Sequence, residues 1–428
     1  MSNRVTQSAS TYKLNSWLGR FWRRVIRSRV WHVGFICLLA GLTLFAWFKP
    51  GVSWDLLGYT GAALKQAGVP AEQLHRLSYS LVEASIDAET FAALITDDNA
   101  QRPSTYRSTT YSEPQAFLEQ LPYYQIRPLF NGALALGYKW FGWSPVTVLI
   151  GISLIAAVIM ALLCYRRLCQ SMPALPAFSA MAALLLVFSY QSMASITTVD
   201  GLFACSFVGF VLAFERGLNF WQVLSLSLLL VLVRSNAIVF VMPMLIIGVV
   251  SSYLHWSKTQ LIWWQGLIVF ASMFVGMKIV EEFYGNYGWW TVYYFTFVES
   301  INYPSQFNGH FNLSDYIPPL IKEGRWLLSD RYTTFFGVVL AISVLQLCSR
   351  RLDGRQAFGL AVVGASAMTV IMHFLLFPAA LLRFFLPVFL LSSLYCVISL
   401  WHRLESSDED RQLQTSGHQP RCEQTSRL

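Results

Sequence analysis

Long apolar segments dominate the chain and set its predicted architecture. These segments consist mostly of Leu, Val, Ile, Phe and Ala. They are residues 31–49, 145–165, 175–192, 201–215, 220–233, 236–254, 261–280, 332–349, 357–377 and 384–401. A helix needs roughly 20 apolar residues to cross a bilayer core of about 30 Å. Because these segments are unbroken rather than alternating, they favour helices over barrel strands. The pattern predicts an all-α polytopic membrane protein with about ten transmembrane helices.

Polar residues are concentrated in two long segments, 50–144 and 281–331, and at both ends of the chain. We divide the chain into a basic N-terminus (1–30), a transmembrane domain (31–401) and a polar tail (402–428) that we expect to be disordered. Within 50–144, the amphipathic stretch that ends at Trp143 predicts a helix lying on the membrane surface. Segments 201–215 and 220–233 are short for a membrane span, so the count can change by one pair.

Composition excludes a soluble protein as the main class. Of 428 residues, 55% are hydrophobic and only 13% are charged, which is too apolar for a water-soluble domain. The net charge of +8 comes from residues beside the apolar segments, so it indicates membrane topology and not nucleic-acid binding. The seven cysteines lie in or beside these segments or in the tail, and they imply no disulfide framework.

Basic residues give the orientation. The N-terminal segment carries Lys13, Arg20, Arg23, Arg24, Arg27 and Arg29. Placing these residues in the cytoplasm makes the first apolar segment an uncleaved signal anchor that runs outward. Alternation then places Arg166, Arg167, Arg216, Lys258, Arg350, Arg351, Arg355 and Arg403 on the cytoplasmic side. We therefore predict a multi-pass protein of the inner (plasma) membrane with both termini cytoplasmic and with two extracytoplasmic loops, 50–144 and 281–331.

Two arginines break this rule, because Arg234 and Arg383 lie at the outward ends of apolar segments. An ionisable residue in such a position needs a partner or a function. One explanation is that each side chain reaches outer headgroups or pairs with a carboxylate. The other is a phosphate clamp, because a guanidinium binds phosphate oxygens through two parallel hydrogen bonds.

Two aspartates lie at the same predicted depth. Asp55 is in the sequence WDLLGY, and its four-residue spacing places Asp55 and Tyr59 on one face of a helix. A carboxylate among aromatic neighbours at the interface suits a general base. Asp200 follows a later segment in the same way. The simpler alternative is that each carboxylate caps the helix that follows it.

Other polar residues are weaker candidates. Glu299, His310 and the aromatic segment 285–295 lie in the second loop, where aromatics are typical of an interfacial belt. His373 suits a packed polar residue, and the pair Asp97 and Asp98 resembles metal ligands but belongs to a solvated loop. The sequence has no zinc-ligand spacing, phosphate-binding glycine loop or nucleophile elbow. We therefore assign no metal and no cofactor.

The order of these features resembles the GT-C glycosyltransferases, which include the protein O-mannosyltransferases and the lipid A aminoarabinose transferases. The resemblance covers residues 31–401 and rests on WDLLGY (54–59), IRPLFNGALALGYKWFG (126–142), VDGLFACSFVGFVLAFERG (199–217), LLLVLVRSNAIVFVMPML (228–245) and RFFLP (383–387). Two departures concern the first loop. Just after the first apolar segment, Asp55 stands alone where many relatives have an adjacent acidic pair. Tyr124 and Gln125 replace a common histidine. These departures leave metal dependence and the donor open.

The resemblance implies transfer of a sugar from a polyprenyl-phosphate donor to a hydroxyl of a glycan, lipid or protein acceptor. Asp55 would be the general base and catalysis would invert the anomeric centre. Arg234 and Arg383 would bind the lipid phosphate, and Tyr59, Arg127 and Asp200 would orient the sugar or the lipid. The partners implied are membrane lipid and a lipid-linked sugar, without nucleic acid.

Three alternatives remain at this stage. A transporter or flippase for a lipid-linked or anionic substrate would use the same charges to line a path. An O-antigen polymerase or ligase would share the phosphate-binding arginines. A non-catalytic subunit of a membrane assembly would tolerate loss of Asp55.

Overall fold

The computed structural model describes residues 25–26, 28–97, 104–195, 197–256, 258–349 and 354–415. Several residues used above lie outside these ranges or have side chains that are not described: Lys13, Arg20, Arg23, Arg24, Arg27, Asp98, Arg350, Arg351 and Arg355. The described chain is helical and contains no strand.

Helices follow one another in the order that the apolar and polar segments predict. The first helix and those of the first polar segment are α1 (Val30–Phe48), α2 (Asp55–Gln66), α3 (Ala71–Glu83), α4 (Ala88–Ile95), α5 (Tyr106–Ser112), α6 (Pro114–Gln120), α7 (Pro122–Gln125) and α8 (Pro128–Phe141). Next come α9 (Pro145–Cys169), α10 (Ala174–Val187), α11 (Tyr190–Ala194), α12 (Asp200–Arg216), α13 (Phe220–Val233), a 3₁₀ turn (Ser235–Ala237) and α14 (Ile238–Leu254). The rest are α15 (Trp263–Tyr284), α16 (Trp289–Phe297), a 3₁₀ turn (Pro304–Gln306), α17 (Leu313–Ser329), α18 (Arg331–Ser349), α19 (Gly354–Leu376) and α20 (Leu382–Thr415).

Each of the ten predicted apolar segments overlaps a helix, and the segment 175–192 extends from α10 into the short α11. Within the described residues, six helical stretches are long and apolar enough to cross a membrane: Val30–Phe48, Pro145–Cys169, Ser235–Leu254, Arg331–Cys348, Gln356–Leu376 and Leu382–Ser406. The chain is therefore a multi-pass helical membrane protein. Helices α10 and α13 are apolar but shorter, so the count of ten spans stays a prediction.

Contacts between helix ends define two ends of the bundle. At one end, the α1 residue His32 contacts the hydroxyl of Tyr165 near the end of α9 at 2.8 Å. We call this the basic end, because it carries Arg166, Arg167, Arg216, Lys258 and Arg403. At the other end, Gln191 Nε2 donates to the Lys49 carbonyl at 2.5 Å, just after α1. We call it the loop end, since the segment 50–144 begins there.

Helix α20 forms the centre of the bundle. Its apolar stretch is 83% buried, whereas that of α1 is 17% buried and lies at the periphery. α20 packs against α9, α10, α12, α18 and α19. Its buried residues include Phe385 and Phe389, whose rings stack with centroids 5.7 Å apart. The start of α20 therefore has a fixed position relative to the surrounding helices.

A polar network joins three helices near the basic end. Arg167 of α9 donates from Nε and Nη2 to the two carboxylate oxygens of Glu215 of α12, at 2.8 and 2.6 Å. Tyr395 of α20 donates to the same carboxylate at 2.8 Å. This two-bond geometry is the strongest form of arginine–carboxylate pairing.

The first polar segment folds around α2. This helix packs against α3, α7, α8 and α9, and its Gly58 faces the ring of Tyr124 from α7. A Cβ atom at Gly58 would lie 2.2 Å from Tyr124 Cε2. A glycine is therefore required here for the close approach of α7 to α2.

The chain end differs from the prediction of a disordered tail from residue 402. Helix α20 continues without a break to Thr415. Extending an existing helix costs far less free energy than starting one, and Glu, Arg, Gln and Leu of this segment are good helix formers. Residues 416–428 lie outside the described chain.

We expect Gly58→Ala to destabilise the protein, because the added methyl group overlaps the Tyr124 ring. Overpacking of this kind costs about 1–3 kcal/mol, which exceeds the roughly 1 kcal/mol that alanine gains over glycine in a helix. Thermal unfolding of the purified protein in detergent measures the effect.

Gly364→Ala is the matched control, since Gly364 lies within α19 and a Cβ atom there meets open space. Its unfolding temperature should not fall. An unchanged unfolding temperature for Gly58→Ala would contradict the proposed contact.

Candidate functional site

Two helices begin side by side at the loop end, each with an aspartate as its first residue. α2 begins at Asp55 and α12 begins at Asp200. The Ser53 N–H donates to Thr197 Oγ1 at 3.2 Å, which joins the two segments just before these helices. Both carboxylates therefore lie at helix N-termini, where the helix dipole favours a negative charge.

The two aspartate side chains do not cap the helices that they begin. Within the described chain, the N-cap residues Trp54 and Val199 make no side-chain capping bond, and the Asp200 N–H donates to Thr198 Oγ1 at 3.3 Å. The carboxylates of Asp55 and Asp200 instead face arginines from distant parts of the sequence. These are the two arginines that break the topology rule.

Arg383 bridges the two carboxylates. It is the second residue of α20, and its Nη1 donates to Asp55 Oδ2 at 2.6 Å. Its Nε lies 3.7 Å from Asp200 Oδ2. The side chains of Arg383 and Asp55 are each 26% exposed, so this pair is only partly buried.

Arg234 pairs with Asp200 deeper in the protein. It lies where α13 ends, and its extended backbone (φ −149°, ψ 115°) separates α13 from the following 3₁₀ turn. Arg234 Nη1 is 2.9 Å from Asp200 Oδ1, and the two side chains are only 5% and 6% exposed. Thr198 Oγ1 donates to Asp200 Oδ2 at 2.7 Å. Each buried charge thus has an opposite charge beside it, as burial requires.

Aromatic rings surround the buried guanidinium. The Arg234 Cζ atom lies 5.3 Å from the ring centroid of Phe203, 5.9 Å from that of Phe240 and 5.2 Å from that of Phe384. Arg383 lies over the same Phe384 ring at 5.0 Å. Cation–π contacts stabilise a desolvated guanidinium by about 2 kcal/mol. The rings therefore fix the positions of both arginines.

Tyr124 contacts Asp55, and the sequence reasoning did not select it as a site residue. Its hydroxyl donates to Asp55 Oδ1 at 3.3 Å. Burial, and next the Asp55 charge, raise the pKa of Tyr124 well above its ordinary value, so the phenol stays protonated and remains a donor. The proline that begins α7, Pro122, is the sequence signal that marks this short helix.

Arg127 and Tyr59 form the part of the site nearest α8. The Arg127 guanidinium lies 5.3 Å from the Tyr59 ring centroid, and its Nη1 donates to the Tyr123 carbonyl at 2.7 Å. Burial raises the pKa of Tyr59, while the charge of Arg127 acts in the opposite direction. Arg127 Nε is buried and makes no hydrogen bond within the described residues. It is therefore an unsatisfied donor within the site.

The structure brings all six predicted site residues together. We call the five charged ones the charged cluster: Asp55, Asp200, Arg127, Arg234 and Arg383. Three arginines and two aspartates leave a net charge of +1 (3 − 2), which favours an anionic ligand. Asp55 adds a carboxylate that is accessible enough to accept a proton. Tyr59 is only 3% exposed, and its ring packs against the Arg127 guanidinium of the cluster.

The weaker candidates do not join this cluster. Asp97 instead accepts hydrogen bonds from the N–H groups of Arg107 and Ser108 at the start of α5, at 2.9 and 3.1 Å. Glu299 and His310 are exposed. His373 is buried against the rings of Phe240, Phe384 and Phe385.

Neither a metal site nor a relative identifies the cluster. Across the part of the chain that the structure describes, no three His, Cys, Asp or Glu side chains lie close enough together to hold a metal ion. Comparison of the chain with protein-family models, with curated proteins and with solved structures found no match. The geometry above and the resemblance in sequence layout are the grounds for the function proposed below.

We expect Asp200→Asn to destabilise the fold by about 3–5 kcal/mol, since it leaves the buried Arg234 charge without its partner. Asp55→Asn should cost much less, because solvent compensates the more exposed Arg383. Thermal unfolding in detergent distinguishes the two variants.

Glu72→Gln on the exposed face of α3 is the control and should leave the unfolding temperature unchanged. Equal losses for Asp200→Asn and Asp55→Asn would contradict the difference in burial between the two ion pairs.

Proposed function

We propose that this chain is a GT-C-type membrane glycosyltransferase that moves a sugar from a polyprenyl-phosphate donor to an acceptor hydroxyl. One observation carries the proposal: the partly exposed Asp55 carboxylate accepts a hydrogen bond from Arg383. Arg383 also lies beside Asp200, which forms a buried ion pair with Arg234. A candidate base and a candidate phosphate-binding group are thus neighbours. Transfer from a lipid phosphate needs these two functions in adjacent positions.

The proposed reaction is a single displacement. Asp55 takes the proton of the acceptor hydroxyl while the hydroxyl oxygen attacks the anomeric carbon from the face opposite the phosphate. The bond between the anomeric carbon and the phosphate oxygen breaks, and its electron pair leaves with the phosphate. The product sugar has the inverted configuration, and polyprenyl phosphate is released.

Arginines stabilise the departing phosphate in this scheme. Arg383 and Arg234 lie against the same Phe384 ring, so their positive charges are fixed before the reaction begins. Preorganised charge of this kind is usually the largest single contribution to catalysis. Arg127 and Tyr59 orient the sugar or the lipid from the side of α8, and Asp200 holds Arg234 in place.

Donor binding would also release the base. A lipid phosphate presents anionic oxygens to Arg383, as Asp55 does at 2.6 Å, so the two compete for one guanidinium. When the phosphate occupies the Arg383 guanidinium, the Asp55 carboxylate becomes free to meet the acceptor hydroxyl.

We further propose that all ten apolar helices cross the inner membrane, with the loop end extracytoplasmic and both chain termini cytoplasmic. The basic end supports this orientation, because it gathers Arg166, Arg167, Arg216, Lys258 and Arg403, as the positive-inside rule requires. The donor lipid then approaches the charged cluster from the outer leaflet.

The position of the cluster favours an enzyme over a transporter or flippase. A transport path would place charges near the middle of the membrane, at broken helices. Asp200 and Arg383 instead lie at the first turns of α12 and α20, and Arg234 lies at the end of α13. An O-antigen polymerase or ligase would share this position but would use a different lipid-linked donor.

The test is sugar transfer by membranes supplied with polyprenyl-phosphate sugars, with released polyprenyl phosphate measured by mass spectrometry. Removing a general base typically lowers the rate by about 10²–10⁴-fold. Removing a charge-stabilising donor lowers it by about 10²–10³-fold. We expect losses in these ranges for Asp55→Asn and Arg383→Ala.

Glu72→Gln and Arg76→Ala, on the exposed face of α3, are the matched controls and should keep full activity. If Asp55→Asn and Arg383→Ala transferred sugar at the wild-type rate, the enzymatic proposal would be wrong and a non-catalytic assembly subunit would fit better. Transfer only from a pyrophosphate-linked oligosaccharide would favour a polymerase or ligase.

A further inference from the structure

A second site candidate lies at the basic end of the bundle. A cavity of about 670 Å³ opens between the ends of α9, α12 and α14, the start of α19 and the middle of α20. Its lining includes polar and charged residues, among them Arg167, Glu215, Arg216, Lys258 and Ser399, and the aromatic residues Trp256 and Phe358. The volume falls within the range of ligand sites, roughly 300–1,000 Å³.

This cavity is separate from the charged cluster. Asp200 begins α12 and Glu215, which lines the cavity, lies in the last turn of the same helix. At roughly 1.5 Å per helical residue, the two carboxylates are about 22 Å apart along the axis. A ligand bound in the cavity would not touch the residues to which the glycosyl transfer is assigned.

Positive charge prevails in the cavity. The charge of Arg167 is balanced by Glu215 through two hydrogen bonds. Arg216 and Lys258 are exposed, and no ion pair with a carboxylate involves either of them within the described chain. The Arg216 guanidinium donates to a neutral group, Gln170 Oε1, at 3.4 Å. Two cationic side chains thus remain available to an anion.

A buried hydroxyl supplies a neutral donor. Ser399 lines the cavity and is 3% exposed, and its Oγ atom is buried without a hydrogen-bond partner among the described residues.

Helix dipoles give a simpler explanation for part of this charge, because α9 and α12 end here and a cation near a helix C-terminus is stabilising. That explanation applies equally to Arg166, which lies in the last turn of α9 but does not line the cavity. It gives no reason for a cavity at this place or for the unpartnered Ser399. Substitution of Arg166 therefore distinguishes the two explanations.

We propose that the cavity binds a phosphate-bearing anion. The volume exceeds that of inorganic phosphate, so the ligand carries an organic group that packs against Trp256 and Phe358. A phosphate ester from solution and the headgroup of an anionic phospholipid share this chemistry. The proposal does not depend on glycosyl transfer at the loop end.

The test compares the wild-type full-length protein with Arg216→Gln/Lys258→Gln and with the control Arg166→Gln, each in nanodiscs. In phosphatidylcholine nanodiscs, inorganic phosphate at constant ionic strength should raise the unfolding temperature with saturation. In a second experiment, native mass spectrometry follows phosphatidylglycerol retained from mixed nanodiscs. In at least one experiment, binding to the double variant should be weaker by about tenfold, as expected for lost charge-assisted contacts.

If only inorganic phosphate binds with saturation, the ligand is a soluble phosphate ester. If only phosphatidylglycerol is retained, the ligand is a lipid headgroup. The single variant Lys258→Gln should show an intermediate loss and replaces the double variant if that protein does not fold. The proposal is overturned if the double variant binds as the wild type does in both experiments. It is also overturned if Arg166→Gln loses as much binding, or if neither probe binds the wild type.

Discussion

The buried ion pair between Asp200 and Arg234 is the constraint on which the loop end depends. Both side chains are about 95% buried, and neither charge is tolerated there without the other. Pairing therefore fixes the start of α12 against the break after α13. Asp200 also faces Arg383, and Arg383 binds Asp55. Alternating charges thus extend from the buried pair to an accessible carboxylate.

Sequence could predict this cluster because a membrane penalises charge so strongly. Arg234 and Arg383 stand out against the positive-inside rule, and Asp55 and Asp200 occupy the same predicted depth, so the four residues are selected by one physical argument. The same apolar patterning predicts all ten helices at these segments. It does not decide whether the shorter helices, such as α13, cross the membrane.

The pairings themselves could not be predicted from the sequence. Asp55 and Arg383 are 328 residues apart, and their contact depends on how α20 packs in the centre of the bundle. Tyr124 was not selected because an aromatic hydroxyl is common at membrane interfaces and its partner lies on another helix. The extension of α20 to Thr415 was missed for another reason. Polar composition indicates exposure to water, but it does not exclude continuation of a helix that has already formed.

The two ion pairs of the cluster differ in how easily they open. The pair of Asp55 and Arg383 is the more exposed one, since each side chain is 26% exposed, so water compensates part of the charge when the pair opens. Opening this pair therefore costs less than separating Asp200 from Arg234, which would leave two buried charges uncompensated. An anion that enters the site would accordingly displace Asp55 from Arg383 and leave the deeper pair intact. The cluster thus combines a fixed positive charge with a carboxylate that can be released. This is possible because each charged group of the cluster has a neighbour of opposite charge or an aromatic ring.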